Sequence, residues 1–271
     1  MKLIIKISTL FLLVAVTATA QPDLTVYREF ARVGQGYVHT PLQMKIHFVY
    51  KVTPVTTNQD GAETDMILHY DDHNFYMQAE GMEQIVNDSL IVMVNHETKM
   101  MRIYNNSVPL LQKLQSSITM FIPDSSLEKL SQRYSAMIAK EAAKIKRITL
   151  QSRDRVSGAD APKEVISVSY DGISYLPVTY QQIKRSFMPV DSTKYTQLKN
   201  DSVYAKRLIN TKTKAGNLFF VVKEKITECR FMHIGHEQKS PPAREQDRVI
   251  RTANGEYEPA KGYEGYTVSR E

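Results

Sequence analysis

The sequence predicts an α+β protein in which antiparallel β-sheet dominates and helices cover the apolar face of the sheet. Two observations support this prediction. Between residues 43 and 104, apolar and polar side chains alternate with a period of two, in six short segments separated by turn residues. After residue 104 the apolar spacing changes to three and four, which is typical of helices, before alternation returns in the second half of the chain.

Residues 1–20 form a targeting segment that takes no part in the fold. Lys2 and Lys6 supply a basic start, residues 7–16 are apolar, and Ala18-Thr19-Ala20 fits a small-x-small cleavage site. The apolar run is too short to span a bilayer as a stable helix. We therefore expect a signal peptide that is cleaved after Ala20, with an uncleaved anchor as the alternative. The expected location is the periplasm, with secretion or association with the outer membrane as alternatives.

The mature chain has 251 residues, which is enough for one large domain with its own core. Its formal charge falls from +6 to +4 once Lys2 and Lys6 are removed, and the cations are scattered among acids. Nucleic-acid binding is therefore not predicted, whereas weak attraction to an anionic membrane surface is compatible with this charge. Cys229 is the only cysteine, so the exported fold must be stabilised by its core without an internal disulfide.

The first part of the mature chain is predicted to be a helix followed by a meander of six strands. Leu24, Tyr27 and Gly34 lie at helical spacing. The strands that follow should pair as neighbours, because the turns between them are short. In the first strand the apolar side chains share one face, and they are Met44, Ile46, Phe48, Tyr50 and Val52. The six strands are expected at residues 42–52, 66–70, 75–79, 84–86, 90–94 and 100–104.

A helical insert and a second group of strands are predicted next. Ser125-x-x-Glu128 is a capping box, which satisfies two free amides at the start of a helix. The apolar stripe of that helix is Leu127, Leu130, Tyr134, Met137, Ile138 and Ile145. Strands are expected again at residues 148–150, 165–170, 175–183, 203–209 and 218–234. Prolines and glycines predict an extended polar tail over residues 236–271 without regular structure, attached through Tyr257, Tyr263 and Tyr266.

Two stretches carry a resemblance to a known family. The first covers residues 75–104, with an aromatic strand, short apolar strands and polar turns, written Asn74-Phe75-Tyr76-Met77, Gln84-Ile85-Val86, Asn87-Asp88-Ser89, Leu90-Ile91-Val92-Met93-Val94, Asn95-His96-Glu97 and Met100-Met101-Arg102-Ile103-Tyr104. The second is Tyr175-Leu176-Pro177-Val178, a Leu-Pro that opens a late strand. Both resemble the periplasmic outer-membrane lipoprotein carrier family (LolA and LolB).

The resemblance implies a LolA-like half-barrel over residues 21–235, a curved sheet whose concave face is closed by helices around an apolar hollow. The chain departs from the family in two respects. It has no tryptophan, and Asp71-Asp72-His73-Asn74 replaces the basic turn before the aromatic strand. The arginine that would latch the hollow therefore has no counterpart at this turn, so the resemblance does not identify lipoproteins as the specific cargo.

The side chains predicted to line this hollow are apolar and, in several cases, flexible. Methionine adapts its shape to its neighbours, which suits a surface for varied acyl chains. Ordinary core packing under the helices is the favoured interpretation of the same residues, because side chains normally fill such interiors. The predicted ligand-binding set is Phe48, Tyr50, Met66, Leu68, Phe75 and Met77 on the sheet, with Leu130, Tyr134 and Met137 as a helical lid.

Two groups of chemically versatile side chains are interpreted as structural. His69 and His73 flank Asp71 and Asp72, but a turn directs these side chains apart, so a solvated hairpin tip is predicted.

Cys229 and His233 are expected on one face of a late strand and His236 on the other, which is too few convergent ligands for zinc. No catalytic residue, cofactor or metal site is predicted.

The function predicted from these observations is that of a periplasmic, non-enzymatic binding or carrier protein, expected to be a monomer. Its partner would be an apolar ligand, such as the acyl chains of a lipid or lipoprotein, with an envelope membrane protein as a further partner. The alternative is an envelope scaffold whose half-barrel is fully packed, and an exported hydrolase comes third. A structure in which the sheet and helices leave no pocket above ~300 Å³ would favour the scaffold over the carrier.

Overall fold

The computed structural model describes residues 24–36, 39–55, 60–71, 73–112, 124–155, 161–213, 216–237 and 244–271. The predicted signal peptide lies outside these ranges, as do residues 58 and 59 of the predicted turn at residues 58–61. No helix among the described residues is long and apolar enough to cross a membrane.

Strands make up most of the described chain. The helices are α1 (Thr25–Gln35), α2 (Asp124–Arg133) and α3 (Ser192–Lys199), with a short helical segment at residues 108–112 and 3-10 turns at Ala205–Arg207 and Glu245–Asp247. The first six strands are β1 (Leu42–Thr53), β2 (Gly61–Tyr70), β3 (Phe75–Ala79), β4 (Met82–Val86), β5 (Leu90–Asn95) and β6 (Met100–Asn105). The next six are β7 (Tyr134–Lys140), β8 (Ile145–Ser152), β9 (Glu164–Asp171), β10 (Pro177–Val190), β11 (Leu208–Thr213) and β12 (Gly216–Gly235), followed by β13 (Val249–Arg251), β14 (Tyr257–Pro259) and β15 (Thr267–Arg270).

Thirteen of these strands form one open sheet in the order β15-β6-β5-β4-β3-β2-β1-β12-β10-β9-β8-β7, with β11 also paired to β12. All pairings are antiparallel except that of β15 with β6. Strand β12 joins the two halves of the chain, because its 20 residues pair with β10 along one edge and with β11 and then β1 along the other. The strands β13 and β14 form a separate hairpin.

The two faces of the sheet carry different apolar clusters. On the inner face, defined here as the face against which α1 packs, one cluster joins α1 and α2 to β7–β9, and it consists of Tyr27, Ala31, Val33, Leu127, Tyr134, Ile148, Leu150, Val168 and Tyr170. A second inner-face cluster, here called the meander cluster, consists of Leu42, Met44, Ile46, Tyr70, Phe75, Val86, Ile91 and Leu111. The outer-face cluster consists of Tyr76, Ile85, Leu90, Val92, Val94, Met101, Ile103 and Val249.

The predicted fold class is confirmed, because the sheet is large, almost wholly antiparallel and open, with few helices. The six-strand meander is also confirmed in its order and in its neighbouring pairs. Gly81 lies at the predicted break between β3 and β4 with a φ of 70°, a conformation that glycine adopts without strain.

The long helical stripe predicted after Ser125 is wrong in its second half. Helix α2 ends at Arg133, and Tyr134 and Met137 lie on strand β7 rather than on a helical lid. Ile145 begins strand β8, and the whole of β7 is paired with β8. Apolar residues at a spacing of three and four therefore produced a helical prediction for a segment that is stabilised by its neighbouring strand.

Two further expectations are corrected. Residues 202–207 form turns rather than the start of a strand, and β11 begins only at Leu208. The tail after His236 is not free of regular structure, because it contributes the β13–β14 hairpin and strand β15 of the main sheet. The expected role of its tyrosines is confirmed, since Tyr257, Tyr263 and Tyr266 pack against the outer-face cluster.

Candidate functional site

An apolar crevice lies between helix α1 and the inner face of the sheet, at the boundary between the two inner-face clusters. Its volume is about 160 Å³. The helix supplies one wall and strands β9, β10 and β12 supply the other. The lining residues are Phe30, Val33, Gly34, Val168, Tyr180, Cys229 and Phe231.

Strand register explains why these side chains meet. Cys229 pairs with Phe48 of β1 on one side and with Tyr180 of β10 on the other, and Tyr180 pairs with Val168. Cross-strand partners in an antiparallel pair share one face of the sheet. One row of side chains therefore runs from Phe48 across the middle of the sheet to the floor of the crevice.

Helix α1 is held over the crevice by polar contacts as well as by packing. The Tyr27 hydroxyl donates a buried hydrogen bond of 2.7 Å to the backbone carbonyl of Tyr134. The Glu29 carboxylate accepts from the Tyr170 hydroxyl at 2.8 Å and pairs with the Lys146 ammonium at 3.0 Å. These bonds attach the helix to strands β7, β8 and β9, at one side of the crevice.

The groups around the Glu29 carboxylate favour its ionised form. Burial would raise the pKa of Glu29, but the hydrogen bonds from Tyr170 and Lys146, together with the charge of Lys146, outweigh it and lower that pKa. Conversely, burial and the bond to Glu29 raise the pKa of Tyr170. The contact is therefore a neutral phenol donating to a carboxylate, which is a strong type of hydrogen bond.

The crevice itself is a poor environment for charge. Burial raises the pKa of the Cys229 thiol to about 11 and is the main cause that raises the pKa of Tyr180 to about 12. Thiols become nucleophilic or ligate metals as thiolates, so this environment disfavours such chemistry at neutral pH. The site can exclude water and contact apolar groups.

The sheet residues of the predicted ligand-binding set lie on the inner face. Phe75 is buried in the meander cluster, and Met66, Leu68 and Met77 pack against it. Phe48 and Tyr50 are half-buried, and the pairing of Phe48 with Cys229 places it next to the crevice.

The three residues predicted as a helical lid are not brought together. Leu130 lies on α2 and packs against the cluster that holds α1. Tyr134 is buried in that cluster on β7, where its hydroxyl donates to Glu164. Met137 is 55% exposed on β7. Helix α1, which is not part of the predicted lid, is the helix that covers the crevice.

Sequence reasoning missed every lining residue of the crevice, namely Phe30, Val33, Gly34, Val168, Tyr180, Cys229 and Phe231. A local signal existed for α1, whose Tyr27, Ala31 and Gly34 lie at helical spacing and are all buried. No local signal shows that β12 lies between β1 and β10, because those strands are far apart in the sequence.

The predicted grouping of Cys229 with His233 is wrong. The pairing of β12 with β1 shifts register between Lys45 and Ile46, so that Phe231 pairs with Ile46 and His233 with Lys45. The extra residue in β12 moves His233 to the face opposite Cys229. Among the described residues, no three His, Cys, Asp or Glu side chains are placed to hold a metal ion.

The predicted hairpin tip between β2 and β3 is confirmed as a turn. The Asp71 carboxylate accepts from the backbone amides of His73 at 2.9 Å and Asn74 at 2.7 Å. The side chain of Asp71 is thus engaged in the turn itself. Asp72 lies outside the described residues.

Comparison with family models and with curated proteins gives no match. Several solved structures are similar. A LolA superfamily protein from Nitrosomonas europaea is 7% identical, with 78% of this chain and 94% of that chain covered and a TM-score of 0.28. MucB is 11% identical, with 88% of this chain and 66% of that chain covered and a TM-score of 0.33. A DUF1329 family protein from Desulfovibrio piger is 7% identical, with 82% and 96% covered and a TM-score of 0.31.

One of these structures is a LolA superfamily protein, and residues 75–104 resemble the LolA and LolB family in sequence. Their identities and TM-scores are too low to support any argument about a ligand or partner of this chain. The function of this chain is therefore inferred from its own inner face.

Proposed function

We propose that this chain is a periplasmic, non-enzymatic binding or carrier protein for an apolar ligand, with acyl chains of a lipid or lipoprotein as the ligand class. The observation that supports the proposal is the crevice under α1, whose lining is apolar apart from one thiol and one phenol. The leader predicted at residues 1–20 supports the periplasmic location.

The crevice suits the end of an acyl chain. A volume of 160 Å³ accommodates about five methylene groups, taking each as similar in size to the ~30 Å³ that one water molecule occupies in the liquid. Each methylene removed from water contributes roughly 0.8 kcal/mol. Burial of about five methylene groups would therefore favour binding by about 4 kcal/mol without any polar recognition.

The same volume is also the observation that favours the rival function, an envelope scaffold with a filled half-barrel. Ligand sites commonly exceed ~300 Å³, and the crevice between α1 and the sheet is smaller. The two functions differ in one measurable respect, which is whether an apolar molecule enters the crevice. Cys229 is suited to report this, because it lines the crevice and is the only cysteine of the chain.

The experiment measures the rate at which N-ethylmaleimide modifies Cys229 with and without palmitate. On the carrier hypothesis, palmitate at ten times its dissociation constant slows the modification about tenfold by mass action. The variant Gly34→Leu should abolish this protection because its side chain fills the crevice. Leucine also favours the helix by roughly 1 kcal/mol over glycine, so the variant is expected to fold.

Gln35→Leu is the matched control, because it adds the same side chain at the exposed neighbouring position of α1. It should keep the protection of Cys229. A parent protein in which palmitate leaves the modification rate unchanged, and in which native mass spectrometry finds no co-purified lipid, would exclude the carrier function and favour the scaffold.

A further inference from the structure

A second surface of interest lies at one end of the sheet, where the β7–β8 turn and the β9–β10 turn stand side by side. The backbone amide of Gly172 donates to the carbonyl of Lys144 at 2.8 Å. A Cβ at position 172 would come within 3.1 Å of Lys146 Cε and 3.3 Å of the Lys144 carbonyl oxygen, so glycine permits the close approach. We call residues 138–146 with residues 172–173 the double turn.

Exposed apolar side chains project from the double turn. Ile173 is 72% exposed, more than any other exposed large hydrophobic side chain of the described residues, and Ile138 is 42% exposed. Both line an open hollow of about 520 Å³. The Asp171 carboxylate accepts from the amides of Ile173 at 2.8 Å and Ser174 at 2.9 Å, which fixes the backbone that presents Ile173.

Unpaired cations surround these apolar side chains. Lys140 and Lys144 line the same hollow and form no ion pair within the described part of the chain, although Lys144 contributes to lowering the pKa of Asp171. The neighbouring cations are engaged, since Lys146 pairs with Glu29 and Arg147 with Glu141. The double turn therefore combines exposed isoleucines with two lysines available for anionic groups.

We propose that the double turn docks on an anionic lipid bilayer, with Ile138 and Ile173 entering the interface and Lys140 and Lys144 contacting lipid headgroups. Apolar insertion combined with attraction between lysines and anionic lipids is a general mode of peripheral binding. A few side chains at the tip of two turns offer far less surface than the ~1,000 Å² that a specific protein partner requires. A bilayer needs no such complementary shape.

The test uses the absence of tryptophan from the chain. Ile173→Trp introduces a single fluorophore at the tip, which is titrated with vesicles of phosphatidylcholine containing one third phosphatidylglycerol. The expected result is a blue shift of its emission and quenching by brominated lipid. Ile250→Trp is the control, because Ile250 is also exposed, at 53%, but lies on the β13–β14 hairpin. Its emission should not change.

The contribution of charge is tested in the Ile173→Trp background. Lys140→Glu combined with Lys144→Glu should weaken vesicle partitioning at least about tenfold, since each lysine near an anionic surface contributes several-fold to binding. Lys199→Glu combined with Lys212→Glu makes the same change in net charge at exposed positions elsewhere and should alter partitioning less than twofold. Vesicles of phosphatidylcholine alone should bind only weakly.

Several outcomes would overturn the docking surface. The first is an unchanged emission spectrum of the Ile173→Trp variant when anionic vesicles are added. The second is that the two pairs of lysine substitutions weaken vesicle partitioning equally, or that neutral and anionic vesicles bind equally well. The third is a blue shift in the absence of vesicles, accompanied by a dimer in light scattering. The crevice is tested separately, because palmitate should still protect Cys229 in the Lys140→Glu, Lys144→Glu variant. If palmitate does not slow the modification of Cys229 in the parent chain, the carrier function is excluded, but the docking surface is not affected by that result.

Discussion

Burial raises the pKa of the Cys229 thiol to about 11, which moves its titration out of the range in which an exposed cysteine reacts. The cause lies in the neighbours of this residue rather than in the cysteine itself. Phe231 and Tyr180 line the same crevice, and neither provides a positive charge that would stabilise a thiolate. At neutral pH Cys229 is therefore a weak nucleophile, and its rate of modification reports on its surroundings.

The rate at which a maleimide modifies Cys229 should rise about tenfold per pH unit from pH 7 to pH 10. The reason is that the thiolate reacts and its fraction stays small below the raised pKa. The measurement is the second-order rate constant across this pH range. Val203→Cys in a Cys229→Ala background is the control, since Val203 is 53% exposed. Its rate should level off near pH 9, and a plateau for Cys229 at the same pH would contradict the buried thiol.

The hydrogen bond between Tyr170 and Glu29 provides a second test at the scale of single residues. Tyr170→Phe removes the donor and leaves the partly buried Glu29 carboxylate with Lys146, so the free energy of unfolding should fall by about 1–2 kcal/mol at pH 7. Because the folded-state pKa of Glu29 is lowered, its contribution is present above the unfolded pKa and is lost as pH falls through the folded pKa. The difference between variant and parent should therefore shrink at pH 3.

Urea unfolding at pH 7 and pH 3 measures both effects. Tyr195→Phe is the matched control, because the Tyr195 ring packs on Phe219 and its hydroxyl makes no hydrogen bond within the described residues. It should change the free energy of unfolding by less than ~0.5 kcal/mol at either pH. If Tyr170→Phe lowers the free energy of unfolding by the same amount at both values of pH, the loss comes from packing and not from the hydrogen bond to Glu29.

At the scale of elements, the first half of the sheet could be predicted from sequence because its pairings are local. Strands β1 to β6 are neighbours in the chain and in the sheet, so period-two alternation and turn residues determine them together. Strand β7 could not be predicted by the same means. Tyr134, Met137 and Ile138 have helical spacing, whereas Tyr134 and Ile138 also lie on one face of a strand.

Pairing decides between these two interpretations of β7, and pairing is not visible in a local window. The whole of β7 forms a ladder with β8, in which Tyr134 pairs with Ser152 and Lys140 with Lys146. The crevice was missed for a related reason. Its floor requires Cys229 to lie beside Tyr180, and only the long-range pairing of β12 with β10 brings these residues together.

The strand assignment of β7 makes a direct prediction for Met137. Met137→Lys should change the free energy of unfolding by less than ~0.5 kcal/mol, because the side chain is exposed at the edge of the sheet. Ile148→Ala on the neighbouring strand β8 is the contrasting variant. Ile148 is fully buried, so its truncation should cost about 2–5 kcal/mol.

Chemical denaturation of both variants gives the comparison. In a continuous helix from Ser125 to Ile145, Met137 would lie on the buried stripe and its replacement by lysine would be strongly destabilising. A large loss for Met137→Lys would therefore contradict strand β7 and restore the helical lid.

At the scale of the whole molecule, the C-terminal segment (residues 244–271) adds an edge strand to the sheet and packs against its outer face. Strand β15 pairs in parallel with β6, and Val249 is buried in the outer-face cluster. A polar contact accompanies this packing. The Glu83 carboxylate, only 6% exposed, accepts from Arg248 Nε at 2.8 Å and lies 2.8 Å from His96 Nε2.

The Arg248 guanidinium is therefore a charged group that attaches the C-terminal segment to the meander. Arg248→Ala should lower the free energy of unfolding by about 3 kcal/mol, because it leaves a buried carboxylate without its main cation. Amide hydrogen exchange should accelerate first in β13, β14 and β15, and then in β6, which would lose its parallel partner. The same measurement on Arg251→Ala, which removes an exposed arginine three residues away, should show neither effect.

A second substitution separates charge from packing in this attachment. Adding Glu83→Gln to Arg248→Ala removes the buried charge, so it should recover part of the lost stability if the unpaired carboxylate is the cause. The Arg248 guanidinium carbon also lies 5.0 Å from the centroid of the Tyr263 ring. If this stacking contact were the main contribution, the double variant would be no more stable than Arg248→Ala. Recovery together with slowed exchange in β15 would show that one ion pair couples the end of the chain to the meander.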